Sequence, residues 1–277
     1  NRSLYGQGGV ASQTAKYETE WQMYYGYNLP AMRYEAYTDN INNYKSRIDF
    51  ELQYTRFPGQ VHKSYALNWN SVTNSLLEHA NFGRELGNTS FLKEDIKSVT
   101  ENKEDDISRL MAVFQHINQK IKWNNRYRLF TEKHIRQAYN EGSGNSSEVN
   151  LCLVAALKEA GFDTFPIALS TRSNGLVFDW EVSLSKFNHV IAGVFLNGKI
   201  IKMDATSNFS APDILPLECL NGNARIIAAN RSEWIDLNPT TTSRSNSSIK
   251  ISFDESLEMQ CKVARAYYNN QAINMYN

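Results

Sequence analysis

Residues 146–160, SSEVNLCLVAALKEA, constrain the fold most, because Asn150 is the one polar residue between Val149 and Leu157. A surface helix carries a polar stripe, whereas a helix apolar on all sides has to be surrounded by protein. Ser146 or Ser147 is placed to cap its start, Lys158 falls in its last turn, and Gly161 offers a left-handed stop. Other layers must therefore wrap around this segment.

The residues that follow supply one layer. Residues 165–170, 189–196 and 199–204 read as strands, and Asn197-Gly198 between the last two is a two-residue type I′ hairpin signal. With that turn, Leu196 faces Lys199 and Ile191 faces Asp204. His189 then lies on the same face as Asp204, a diagonal neighbour about 7–8 Å away between backbones. An imidazole and a carboxylate can meet across that gap, and Asp204 can fix the His189 tautomer as in a nucleophile–His–Asp site. Val190, Ala192, Val194 and Leu196, against Ile201 and Met203, form the other face and read as core.

The third member is expected from an element packed across the hairpin. The start of the buried helix suits it, because free N–H groups there favour a thiolate or an oxyanion. The sequence at that point is Gly144-Asn145-Ser146-Ser147. This order, a small loop opening a buried helix, then a His-bearing strand and an Asp-bearing strand, resembles the transglutaminase-like superfamily with its papain-like fold. That family opens the helix with Gly-(Asp/Asn)-Cys. Gly144-Asn145-Ser146 matches with serine in the cysteine's place, His189 matches in Phe187-Asn188-His189-Val190, and Asp204 in Met203-Asp204-Ala205-Thr206. Leu29-Pro30-Ala31, Ile121-Lys122-Trp123-Asn124, Ser170-Thr171-Arg172, Leu215-Pro216 and Leu220-Asn221-Gly222 are similar to exported transglutaminase-related proteins of Bacteroidetes-type bacteria.

The resemblance implies an α+β protein with a transglutaminase-like core, its buried helix packed on an antiparallel sheet and flanked by partial β domains. Residues 1–70 would be part of a β-rich domain of unknown function, 71–237 the core, and 238–277 a linker and the start of a C-terminal β domain. It also implies an exported, periplasmic or cell-envelope protein within a larger multidomain chain. Ser146, His189 and Asp204 would then be a degenerate triad, with Trp123, Asn145 and Ser147 as groove or oxyanion candidates. No cofactor and no metal are implied.

Serine at the nucleophile position changes the chemistry. A cysteine, with a reference pKa of about 8.5, can be drawn into a thiolate–imidazolium pair. An alkoxide cannot be preformed in that way, so serine needs concerted general-base help and a matched oxyanion hole. The expected function is accordingly a catalytically inactive one, binding a peptide, protein or glycan or serving as a scaffold in the envelope. The alternative is a hydrolase or acyltransferase acting on peptide or amide bonds through Ser146, His189 and Asp204. Cys152, six residues beyond Ser146, is rotated by about 240° on the helix and cannot replace it.

Elsewhere the pattern is coarser. Residues 34–37, 48–54 and 61–67 alternate apolar with polar, so the first 70 residues read as antiparallel β. Helical spacing starts after Trp69 and returns from Ile107 to Ile121, with Asp105 and Asp106 at its positive end. A short helix is expected around residues 132–139. A Thr/Ser/Asn-rich linker at 238–248 precedes strands at 249–253 and near 259–264. Trp123 either walls a groove or anchors a helix end, and Arg172 either binds a substrate carboxylate or, the simpler role, a structural carboxylate or carbonyl.

Charge and cysteine usage remove several classes of function. The 29 basic and 29 acidic residues cancel, leaving no net field to draw nucleic acid or an anionic membrane. No run reaches the roughly 18 apolar residues of a membrane span. Cys152, Cys219 and Cys261 have no CxxC spacing and no nearby His pair, which disfavours zinc. One disulfide among them is open, but buried free thiols, away from the cleft, are the expectation.

Overall fold

The computed structural model describes residues 18–36, 38–48, 50, 52, 54–57, 59, 61–64, 68–239 and 242–276. Strands β1 (Tyr54–Thr55) and β2 (Lys63–Ser64) form a short antiparallel pair. Helices α1 (Trp69–Glu78), α2 (Lys93–Thr100) and α3 (Asp106–Lys120) follow. Then come β3 (Lys122–Trp123), α4 (Ile135–Glu141), β4 (Ser143–Gly144) and α5 (Ser146–Glu159). Strands β5 (Asp163–Leu169), β6 (His189–Leu196), β7 (Lys199–Met203), β8 (Asn223–Ile226) and β9 (Trp234–Asp236) make an antiparallel sheet in the order β7-β6-β5-β8-β9. A hairpin of β10 (Arg244–Phe253) and β11 (Met259–Tyr268) leads into α6 (Asn270–Tyr276).

Helix α5 is the centre of this α+β arrangement, and every residue from Ser146 to Leu157 is buried. The apolar stripe of α3 (Leu110, Val113, Phe114 and Ile117) packs on it from one side, and Val190, Ala192 and Val194 of β6 from the other. Gly161, at φ +88°, lets the chain leave α5 and turn into β5. A second apolar layer, with Ile167, Ile191, Leu215 and Cys219, covers the far face of the sheet.

The β6–β7 hairpin has the expected turn and register: Asn197 and Gly198 both take positive φ, and Leu196 pairs with Lys199. Gly193 of β6 sits under a crowded point, because a Cβ there would lie 2.6 Å from the Phe165 ring and 2.7 Å from Ile167 Cδ1. Gly193→Ala should therefore cost about 1–3 kcal/mol by overpacking, read as a lower urea midpoint with an unchanged m-value.

Several expected elements differ. Helix α5 is capped by Asn145, not by Ser146 or Ser147; its side chain accepts from the Glu148 N–H at 3.0 Å while Glu148 Oε2 accepts from the Asn145 N–H at 2.7 Å. The short helix expected at 132–139 is α4, whose start is fixed from afar by buried Glu85, which accepts from the Ile135 N–H. Helix α2, with Ile96 as its one buried residue, was too polar to stand out. Strand β10 begins at Arg244, inside the stretch expected to be linker.

In the first 70 residues the only strand pairing among the described residues is the β1–β2 ladder. Ile48, Phe50, Leu52 and Tyr54 are exposed, with no covering layer over them among the described residues. Residues 1–17, 37, 49, 51, 53 and 65–67, on which parts of the strand reading fell, lie outside the described residues. Arg172 takes the structural role, with Asp39 as its ion-pair partner and the Leu220 carbonyl accepting from Nη1.

Candidate active site

The end of the β6–β7 hairpin brings His189 and Asp204 together. His189 Nε2 is 2.9 Å from Asp204 Oδ2, and both residues are fully buried. The hairpin register places them, because Asp204 follows the last paired residue of β7, Met203, and His189 opens β6. Burial by itself would raise the Asp204 carboxyl pKa. The His189 charge and hydrogen bond, the Asn150 amide and the Thr206 N–H outweigh it, and the carboxyl is held well below the usual range.

Asn150 fixes the other carboxylate oxygen. Its Nδ2 donates to Asp204 Oδ1 and to the Val190 carbonyl, both at 2.9 Å, and its Oδ1 accepts from the Ala205 N–H at 2.9 Å. Thus the lone polar residue of an otherwise apolar run, one helical turn beyond Ser146, is what joins α5 to the pair. Its isolation in the sequence was a usable signal, though its partner was not legible there.

Ser146 is placed differently from a nucleophile bonded to its base. Helix α5 packs on the Val190 face of β6, opposite the face that carries His189, and Ser146 turns toward residues 126–130. Its Oγ accepts from the Arg128 N–H at 2.9 Å and donates to the Arg128 carbonyl at 3.1 Å, and its own N–H donates to the Arg126 carbonyl. No hydrogen bond joins Ser146 to His189, whose Nδ1 is buried without a partner. Ser147 Oγ donates to the Leu129 carbonyl, and Asn145 Nδ2 to the Phe130 carbonyl, so the start of α5 is stitched to this loop. Glu148 Oε1 accepts from the Glu132 and Lys133 N–H groups and completes the seam.

Cys219 is the clearest departure from expectation. It is buried as expected but not remote from the site: its thiol donates to Asp204 Oδ2 at 3.2 Å. Burial, and then the Asp204 carboxylate beside it, push its pKa well above the ordinary thiol value, so it is held as a thiol. Cys152 is also buried and likewise pushed up, whereas Cys261 is exposed on β11, and all three are free thiols. His189, Asp204 and Cys219 are the one group of three metal-ligating side chains that converges, within 4.8 Å, among the described residues. In this arrangement Asp204 Oδ2 already accepts from both neighbours, and a metal ion would have to displace those protons.

A cleft of about 720 Å³ adjoins the pair, lined among others by Trp123, Asn125, Tyr127, Thr206, Pro216 and Glu218. Trp123 is thus a groove residue, its indole N–H donating to the Arg126 carbonyl at 3.2 Å. Tyr127 stands beside it, ring centroids 4.8 Å apart, and meets the His189 ring edge-on at 5.0 Å. Nothing in the local sequence marks Tyr127, because its importance comes from where the loop crosses the sheet end.

A buried helix, a His-bearing strand and an adjoining Asp, assembled on an antiparallel sheet, define a transglutaminase-like core. Residues 94–205 match the family model of the transglutaminase-like superfamily. A protease candidate from Parabacteroides distasonis is similar in structure at 12% identity and a TM-score of 0.47, over 65% of this chain and 33% of its own. A cysteine protease candidate from Cytophaga hutchinsonii is similar at 12% identity and a TM-score of 0.35, over 65% of this chain and 52% of its own. The chain therefore spans about a third of the first and about half of the second. No curated protein matches the chain. Among the described residues no helix is long and apolar enough to cross a membrane.

Proposed function

We propose that this protein binds a peptide or glycan in the cleft beside Trp123 and Tyr127 without cleaving it, as a cell-envelope protein that keeps the groove of a peptidase and has lost its nucleophile. The observation that carries the reading is the hydrogen bonding of Ser146. To attack, a serine must pass its single proton to a base within about 2.6–3.2 Å in the reacting complex. The Ser146 proton goes instead to the Arg128 carbonyl, and its oxygen is taken by the Arg128 N–H. The hydroxyl works as a structural link between α5 and the loop. His189 and Asp204 persist because Asn150, Cys219 and the Thr206 N–H all depend on that carboxylate. In this reading residues 1–70, 71–237 and 238–277 are three modules, the middle one holding the cleft.

The test uses a fluorophosphonate probe, which labels an activated serine. Native protein should carry no adduct on Ser146 by mass spectrometry, and Ser146→Ala should hydrolyse p-nitrophenyl esters at the native background rate. An adduct on Ser146 that disappears in His189→Ala would overturn the proposal.

A further inference from the structure

We infer that Tyr127 closes the cleft over the His189–Asp204 pair, so that access to the imidazole depends on this one ring leaving its place. The inference rests on the cleft being the ligand-binding face. Tyr127 has one side in the cleft wall and the other against His189. His189 and Asp204 are fully buried, although a cleft large enough for several residues of a peptide lies next to them. His189 Nδ1 is buried with no partner. A buried ring nitrogen left without a partner is costly unless a ligand group can reach it at some stage.

The ring is also less tied down than the backbone that carries it. Arg126 and Arg128 on either side are tied to Ser146 through their main chains, so the backbone is fixed. The Tyr127 hydroxyl has no hydrogen-bond partner among the described residues. The ring is therefore held by edge-on contact with His189 and by Trp123, which a ligand stacking on Trp123 can replace.

Diethylpyrocarbonate, which acylates accessible neutral imidazoles, tests this by peptide mapping of the intact chain. In native protein His134, with an 82% exposed side chain, should be modified while His189 stays unmodified. In Tyr127→Ala the His189 rate should rise at least about tenfold, because exposure would no longer require a local opening. Tyr127→Phe, which keeps the ring, should behave as native. His116, hydrogen-bonded to Tyr139 away from the cleft, should react at its native rate in every variant, which separates opening of this site from general loosening. If Tyr127→Ala does not fold, Tyr127→Val carries the same expectation. A His189 as protected as in native protein in the folded ring-less variant overturns the inference, and so does acceleration in Tyr127→Phe equal to that of the ring-less variant. This readout involves no reaction at Ser146, so a fluorophosphonate adduct there would sink the non-catalytic reading and leave the Tyr127 closure standing.

Discussion

Asp204→Ala should lower stability by roughly 3–5 kcal/mol, the range seen when one partner of a buried ion pair is removed. The truncation strands the His189 Nε2–H, the Cys219 thiol and one N–H of the Asn150 amide in a site without exposure, and leaves the half-buried Thr206 N–H without its acceptor. Equilibrium urea unfolding at pH 7 measures the loss. Asp204→Asn, which keeps an acceptor for the Thr206 N–H but no charge for His189, should lose less. The effect is also pH-dependent, and its sign follows from the direction of the shift. A carboxyl whose folded pKa lies below its unfolded value of about 3.9 adds stability above that value and loses it as pH falls. Asp204 is such a carboxyl. The gap between native protein and Asp204→Ala should be full at pH 7 and narrow progressively below about pH 4. A gap that stays constant down to pH 2.5 would mean the carboxylate is not charged in the fold.

Asn150→Leu should cost about 2–4 kcal/mol, although leucine matches its volume and improves the apolar run. The reason is the set of partners left behind: the Ala205 N–H loses its acceptor, and the Val190 carbonyl and Asp204 Oδ1 each lose a donor in a dry interior. Asn150→Asp separates this from a simple packing effect. It sets a second carboxylate beside Asp204, whose repulsion and burial raise the new group's pKa. A carboxyl raised in the fold costs stability above its unfolded pKa and nothing below it. The Asp variant should therefore gain on native protein as pH falls from 7 toward 4, opposite in sign to the Asp204 contribution. Equal losses for Asn150→Asp at both pH values would place Asn150 outside the carboxylate network.

These two residues mark the boundary between what could be read along the chain and what could not. The β6–β7 hairpin was legible because its determinants are local: Asn197-Gly198 selects one turn type, that turn selects one register, and the register puts His189 and Asp204 on one face. The central position of α5 was legible for a similar reason, since a helix without a polar side has one kind of place to go. Asn150 was visible as an anomaly in that run, but which groups it would join was not.

The alternating run at 48–54 is less informative for the converse reason: residues 49, 51 and 53 lie outside the described residues, and Ile48, Phe50, Leu52 and Tyr54 are exposed. Alternation reports a half-buried strand only where a second layer exists to bury it, and no local residue says whether that layer is present. The state of the site itself was decided in three dimensions. The partners of Ser146 are main-chain atoms of Arg128, which every residue type possesses and no sequence pattern reveals. Cys219 and Tyr127 reach Asp204 and His189 from loops that are distant or irregular in the chain, with no periodicity to aim them. Sequence alone therefore determined the helix, the hairpin and the identity of the His–Asp pair, because propensity and register act over a few residues. Only the tertiary structure decided what Ser146 is bonded to and what covers His189, because those contacts depend on where loops come to rest across the end of the sheet.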